Sequence, residues 1–241
     1  MRYMNKAGDV LKELEYLKNS EKIKVFKRFF KTNEGEYGYG DMFWGISVPQ
    51  VRGISKRYFL DISFDEIKVL INHRIHEIRL AGYLILTYQY EKSDNERRKD
   101  IFDFYLNNLS GCNNWDLVDL SCYKIVGEYV LRNKEERKIL YKLSKSKNLW
   151  EQRISIVSTY PMIKKKEFED TLKISKLLLS HKHDLIHKAV GWMLREVGKQ
   201  DMNVLREFLN ENINTIPRTT LRYSIEKMNK SERKGYLLKN F

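Results

Sequence analysis

The chain has 241 residues with only 3 prolines and 12 glycines, so helix breakers are scarce and one all-helical domain is expected over residues 1–241. Lys and Arg number 45 against 32 Asp and Glu, a formal +13. That points to a polyanionic partner, nucleic acid first and an anionic membrane surface second, or to a basic but inert surface. The two cysteines, Cys112 and Cys122, exclude a disulfide framework or a CxxC metal knuckle, and no run reaches the roughly 18 apolar residues that a bilayer span needs.

The opening segment, MRYMNKAGDVLKELEYLKNS, has no apolar run or cleavage-type site, so no signal peptide is expected. Free thiols suit a reducing cytoplasm. Apolar residues recur at helical spacing from end to end. Helices are predicted to begin near Lys6, Glu21, Pro49, Ser63, His76, Asn95, Asn114, Asn133, Leu149, Glu167, Asp184, Asp201, Thr215 and Ser231. Ser63 and Glu66 form a capping box, and Pro217 suits a first helical turn. No segment alternates at period 2, so no sheet is predicted.

One region is irregular. KTNEGEYGYGDMFWGISVPQVR, residues 31–52, is rich in Gly and aromatics and lacks the GK[ST] ending of a phosphate loop. It reads as a connection packed by its own aromatics or as a ligand-contacting loop. Elsewhere the leading helices of successive pairs resemble one another: HEIRLAGYLIL, WDLVDLSCYKIV, WEQRISIVSTY and DLIHKAVGWML. They recur at about 35–40 residues, the signature of stacked helix pairs of HEAT type, whose arrays curve and present a concave face.

Three of these helices carry unusual residues. In NNWDLVDLSCYKIVGEYV, Trp115 and Asp119 stand one above the other at i and i+4, on the edge of an apolar arc made by Val118, Cys122, Ile125, Val126 and Tyr129. Trp115 reads as packing and Asp119 as an interhelical salt bridge or a cap, unless both face a ligand. Asp116 reads as a first-turn acid favoured by the helix dipole. In the next repeat Arg153 falls inside the apolar arc of Leu149, Trp150, Val157 and Tyr160. Such a guanidinium needs a carboxylate or phosphate partner, or must reach out to solvent. In DLIHKAVGWMLREVGK, Trp192 lies at about 140° from the apolar face, flanked by Lys188, Arg195 and Lys199. An indole among cations suits stacking on a nucleobase with phosphates alongside, or an exposed or oligomer-contact Trp.

Arg218 and Arg222 share one face of a C-terminal helix, either as a phosphate clamp or with Arg222 paired to Glu226. Lys164, Lys165 and Lys166 form a short loop cluster with the same two readings. His73 with His76, and His183 with His187, have helical spacing but no HExxH or Cys partner, so no metal site is expected. No nucleophile motif such as GxSxG is present.

NNWDLVD, LWEQRISIVST, KHDLIHKAVGWMLREVGK and IPRTTLRYSIEKM, in that order, resemble the AlkD-type DNA alkylation repair family, from about Tyr37 to the C-terminus. The resemblance implies an all-α, right-handed solenoid of antiparallel HEAT-like helix pairs with a basic concave groove for duplex DNA. It also implies a monofunctional glycosylase for N3- and N7-alkylated purines that needs no metal or organic cofactor. By resemblance Asp119 is the catalytic acid, Trp115 and Trp192 are the lesion-facing indoles, and Arg153 is the groove arginine. Phosphate contacts are then expected from Lys188, Arg195, Lys199, Arg218, Arg222, Lys164 and Lys165, in a monomer acting on alkylated duplex DNA in the cytoplasm, at the nucleoid. Trp44 departs from the aliphatic residue expected there. The rival readings are a non-catalytic DNA-binding relative and a helical-repeat protein scaffold.

Overall fold

The structure is a computed structural model and describes residues 5–239. It is all-helical: among the described residues the sole β pairing is an isolated parallel bridge between Met42 and Ile75. The chain divides into two compact units, residues 1–125 and 126–241.

The first unit contains α1 (Lys6–Tyr16), α2 (Ser20–Phe29), α3 (Val48–Tyr58), α4 (Phe64–Ile71), α5 (His76–Lys92), α6 (Asn95–Asn107) and α7 (Trp115–Cys122). Its centre is α5, against which α1, α3, α4, α6 and α7 pack. The physical cause lies in HEIRLAGYLILTY, which carries apolar or aromatic residues on every side. Every residue from His76 to Tyr88 is buried, as expected of a helix surrounded by others. The Ser63–Glu66 capping box forms, with the Glu66 carboxylate accepting from the Ser63 amide at 3.0 Å. Glu66 also accepts from the Lys6 amide at 2.7 Å and so caps α1. A second box, Ser47 with Gln50, starts α3.

The second unit contains α8 (Glu128–Arg132), α9 (Lys138–Ser144), α10 (Leu149–Val157), α11 (Tyr160–Lys164), α12 (Glu169–Leu178), α13 (Asp184–Gln200), α14 (Met202–Asn212), α15 (Arg218–Ser224) and α16 (Lys230–Lys239). Here α13 is central and packs on α10, α11, α12, α14 and α15. Gly191 permits its close approach to α15: a Cβ there would lie 2.7 Å from the Thr220 carbonyl oxygen.

Most predicted helix starts agree with the structure to within two residues. The exceptions have local causes. The helix expected from Asn114 starts at Trp115 but is interrupted by a π-helical turn at Tyr123–Gly127. The one expected at Asn133 opens as a 3-10 turn, Lys134–Arg137, and becomes α-helical at Lys138. The helix expected near Thr215 begins at Arg218, with Pro217 at its N-cap rather than in its first turn. No helix among the described residues is long and apolar enough to cross a membrane.

The irregular segment between α2 and α3 is anchored by α5. The Glu77 carboxylate accepts from the backbone amides of Trp44, Gly45 and Ile46 at 2.8–3.1 Å. Gly45 has φ +78°, and a Cβ there would sit 2.2 Å from the Asn19 carbonyl oxygen. Both the left-handed backbone and the contact with rigid main chain disfavour any side chain. We expect Gly45→Ala to cost at least about 2 kcal/mol and to lower Tm by about 4–8 °C, measured by thermal circular dichroism.

Candidate active site

In the first unit the site is built around the start of α7. Asn114 is its N-cap and accepts from the Trp115 amide at 2.8 Å. The Trp115 ring, half-buried, stacks on Phe30 (centroids 5.5 Å apart, planes at 22°) and meets the edge of Phe29 at 5.7 Å. Phe30 in turn stacks on Phe43 at 5.0 Å. The indole orientation is therefore set by aromatic packing from the residues around α2. Asp119 follows one helical turn later, also half-buried. The i, i+4 spacing puts the two residues on the same helical face.

Behind this face lies a buried polar cluster. Asp41, His76, Arg79, Asn114 and Asp116 are each less than a tenth exposed. His76 Nε2 is 2.8 Å from Asp116 Oδ2, and Nδ1 is 3.2 Å from Asp41 Oδ2. Asp41 also accepts from Asn114 Nδ2 at 2.9 Å and from the Arg79 guanidinium. A neutral imidazole has one N–H, so two facing carboxylates require both ring nitrogens to donate. Burial alone would push the His76 pKa down. The Asp116 and Asp41 carboxylates outweigh it and hold the imidazolium to about 9. Burial likewise opposes the Asp41 charge, but His76, Arg79 and Asn114 overcome it and keep that carboxyl below its ordinary value. Two anions and two cations balance within the core, the condition for tolerating buried charge.

In the second unit Arg153 on α10 is buried and donates from Nη1 to the Leu185 carbonyl oxygen at 2.6 Å, in the first turn of α13. Trp192 on α13 is half-buried, its ring 6.4 Å from that of Tyr160. Lys164 Nζ lies 5.4 Å from the Tyr160 ring centroid. The cations flanking Trp192 all have carboxylate neighbours: Lys188 with Asp184 at 2.7 Å, Lys199 with Glu196 at 2.7 Å, and Arg195 with Glu226. Arg218 and Arg222 are exposed on α15, and Lys164 and Lys165 are exposed at the end of α11.

The model of a family described as DNA alkylation repair enzyme matches residues 10–228, nearly the whole chain. The chain belongs to the DNA alkylation repair enzyme family. Two solved structures have the same fold. A predicted DNA alkylation repair enzyme from Enterococcus faecalis superposes with TM-score 0.70 at 18% identity, covering 88% of this chain and 97% of its own. AlkD2 from Streptococcus mutans superposes with TM-score 0.56 at 14% identity, covering 87% and 98% respectively. No curated protein matches the chain.

Several features of this alkylation-repair family member differ from the reading of its sequence. Asp116 is the first-turn acid of α7, as its position implies, and its carboxylate is in addition a buried partner of His76. Glu226, considered as a mate for Arg222, pairs with Arg195 and with Lys227 at 3.4 Å. The 31–52 region is closed by its own aromatics in part, through Phe43, but Glu77 and His76 of α5 also anchor it. Phe30, Asp41 and His76 stand beside the candidate residues with no local pattern to mark them: the His73–His76 spacing bears only on metal binding, and His76 is 35 and 40 residues from Asp41 and Asp116.

Proposed function

We propose that this protein is a monofunctional DNA glycosylase that hydrolyses the N-glycosidic bond of cationic N3- or N7-alkylated purines in duplex DNA. The observation that carries the reading is the pairing of Trp115 and Asp119 on one face of α7, with the indole held by Phe30. An alkylated purine is positively charged, so its bond to C1′ is already weakened. As that bond breaks, the electron pair leaves with the base, which becomes neutral, and positive charge builds on the deoxyribose. Asp119 stabilises that oxocarbenium-like state and orients water for attack at C1′, taking up the proton released. The Trp115 indole favours the cationic nucleotide by cation–π contact, of order 0.5–2 kcal/mol.

In the second unit the reading gives Trp192 the same kind of contact with the lesion and Arg153 a phosphate. Lys188, Arg195, Lys199, Arg218, Arg222, Lys164 and Lys165 supply further backbone contacts. It requires no metal or organic cofactor and no Schiff-base lysine, so the DNA strand is left uncut. Cys112 and Cys122 are buried and form no disulfide, which suits a reducing cytoplasm.

A second reading is a DNA-binding relative without turnover. Release of 7-methylguanine or 3-methyladenine from methylated duplex DNA separates the two. Base release is the expected result, and binding without release would establish the second reading. Duplex affinity should fall about 40- to 500-fold between about 50 and 200 mM salt if three to five phosphates are neutralised. A flat salt response would rule out a phosphate-dominated interface.

A further inference from the structure

We propose that His76 is a positioning residue, a buried double donor that locks the first turn of α7 and thereby sets the Trp115 indole and the Asp119 carboxylate. The inference rests on the glycosylase reading for its activity readout alone. The cluster brackets Trp115 in sequence: Asn114 before it and Asp116 after it are both tied to the same imidazole, Asn114 through Asp41. The Asn114 side chain spans both systems, donating to Asp41 and accepting from the Trp115 amide. Asp116 uses Oδ2 for His76 and Oδ1 for the Leu117 amide at 2.9 Å.

The ring side is closed as well. Phe43 stacks on the imidazole at 4.8 Å, and Phe30 lies at 4.8 Å from it while its ring also stacks against Trp115. Phe30 therefore touches both the buried cation and the candidate lesion-facing indole. A change in charge or position of His76 reaches Trp115 by two routes, the Asp41–Asn114 cap and the Phe30 ring. Arg79 does not bridge the two carboxylates: it donates to Asp41 and to the carbonyls of His73 and Arg74.

The charged and titratable groups facing His76 are few. Asp41 comes from the segment before α3, Asp116 from α7 and Arg79 from α5 itself. Glu77, next in sequence, is occupied by the loop amides. Two further groups nearby titrate outside the relevant range. Burial pushes the Cys112 thiol to about 12, and burial with the charges of Arg74 and Arg79 holds His73 below its ordinary value. A transition on the alkaline side of neutrality at Trp115 is assigned to His76 by its loss in His76→Gln.

The full chain is labelled with ¹⁵N-indole tryptophan, and the Trp115 resonance is assigned through Trp115→Phe. In the wild type its indole shift should titrate with a midpoint near 9. In His76→Gln that titration should vanish, while the signals of the other indoles stay in place. Single-turnover release of 7-methylguanine should fall at least about tenfold in this variant and lose its alkaline limb, with DNA affinity within about threefold of the wild type. If His76→Gln does not fold, Asp116→Asn provides the test: losing one of the two anions should move the Trp115 midpoint down by at least about one pH unit. A Trp115 signal flat with pH in the wild type overturns the proposal. So does a titration that persists in His76→Gln, or a midpoint unmoved in Asp116→Asn. Absence of base release by the wild type would defeat the glycosylase reading instead, and the indole titration would still decide the role of His76.

Discussion

An Asp119→Asn variant is expected to excise alkylated purines about 10²–10³-fold more slowly than the wild type, while binding methylated duplex DNA with nearly the same affinity. The amide is the same size as the carboxylate and keeps a hydrogen-bonding head, so α7 has no steric reason to move. What disappears is the negative charge that opposes the charge growing on the deoxyribose. A preorganised charge contributes far more in the transition state than in the bound ground state, so the loss falls on the chemical step and spares binding. Single-turnover base release under enzyme excess, measured beside an equilibrium binding titration, separates the two. Full excision by Asp119→Asn would remove this residue from the chemistry. A parallel loss of binding would mean that the carboxylate holds the fold or the DNA.

The second large effect is expected at Asp41. It accepts from Arg79, His76 and Asn114 in a buried position. Asp41→Ala leaves the buried Arg79 guanidinium without its carboxylate, leaves the His76 imidazolium with Asp116 alone, and removes the acceptor of the Asn114 amide. Breaking a buried charge cluster from one side costs about 3–5 kcal/mol. Hydrogen exchange is the suitable measurement, because two compact units need not unfold together. The amides of α5 and α7 should lose protection, and those of α13 should keep theirs.

The cluster also fixes a direction for the pH dependence of the first unit. The His76 pKa is raised in the folded state, so its contribution is fully present below the ordinary histidine value near 6.5 and is lost as pH rises through about 9. The Asp41 pKa is lowered, so its contribution is present above the ordinary value of 3.8 and is lost as pH falls through the folded one. Stability from this source is greatest on the weakly acidic side of neutrality. Asp41→Ala should flatten both limbs.

Several parts of this arrangement were legible in the sequence because they are local. The Ser63–Glu66 box, the Asn114 cap and the i, i+4 placement of Trp115 and Asp119 lie within a few residues of chain, and helical geometry alone brings each set together. The Lys188–Asp184 and Lys199–Glu196 pairs have the same local spacing, yet Lys188 and Lys199 read as free phosphate ligands when their basic neighbours were weighed alone. The π-helical turn after Cys122 left no mark in the apolar pattern, since a one-residue phase shift still leaves buried residues on both sides.

By itself, the sequence determined an all-helical chain, the position of most helices, a basic surface and the resemblance that singles out Asp119, Trp115, Arg153 and Trp192. These follow from composition, from 3.6-residue periodicity and from motifs read in order. Only the tertiary structure decided which charges are spent within the protein and what holds the α7 turn in place. Asp41 and Asp116 lie 35 and 40 residues from His76. Arg195 lies 31 residues from Glu226. Such partners meet through helix packing, and no local rule constrains them. Desolvation makes each unpaired charge costly; at His76 it opposes the proton, and the Asp116 and Asp41 carboxylates that packing brings to the ring overcome it.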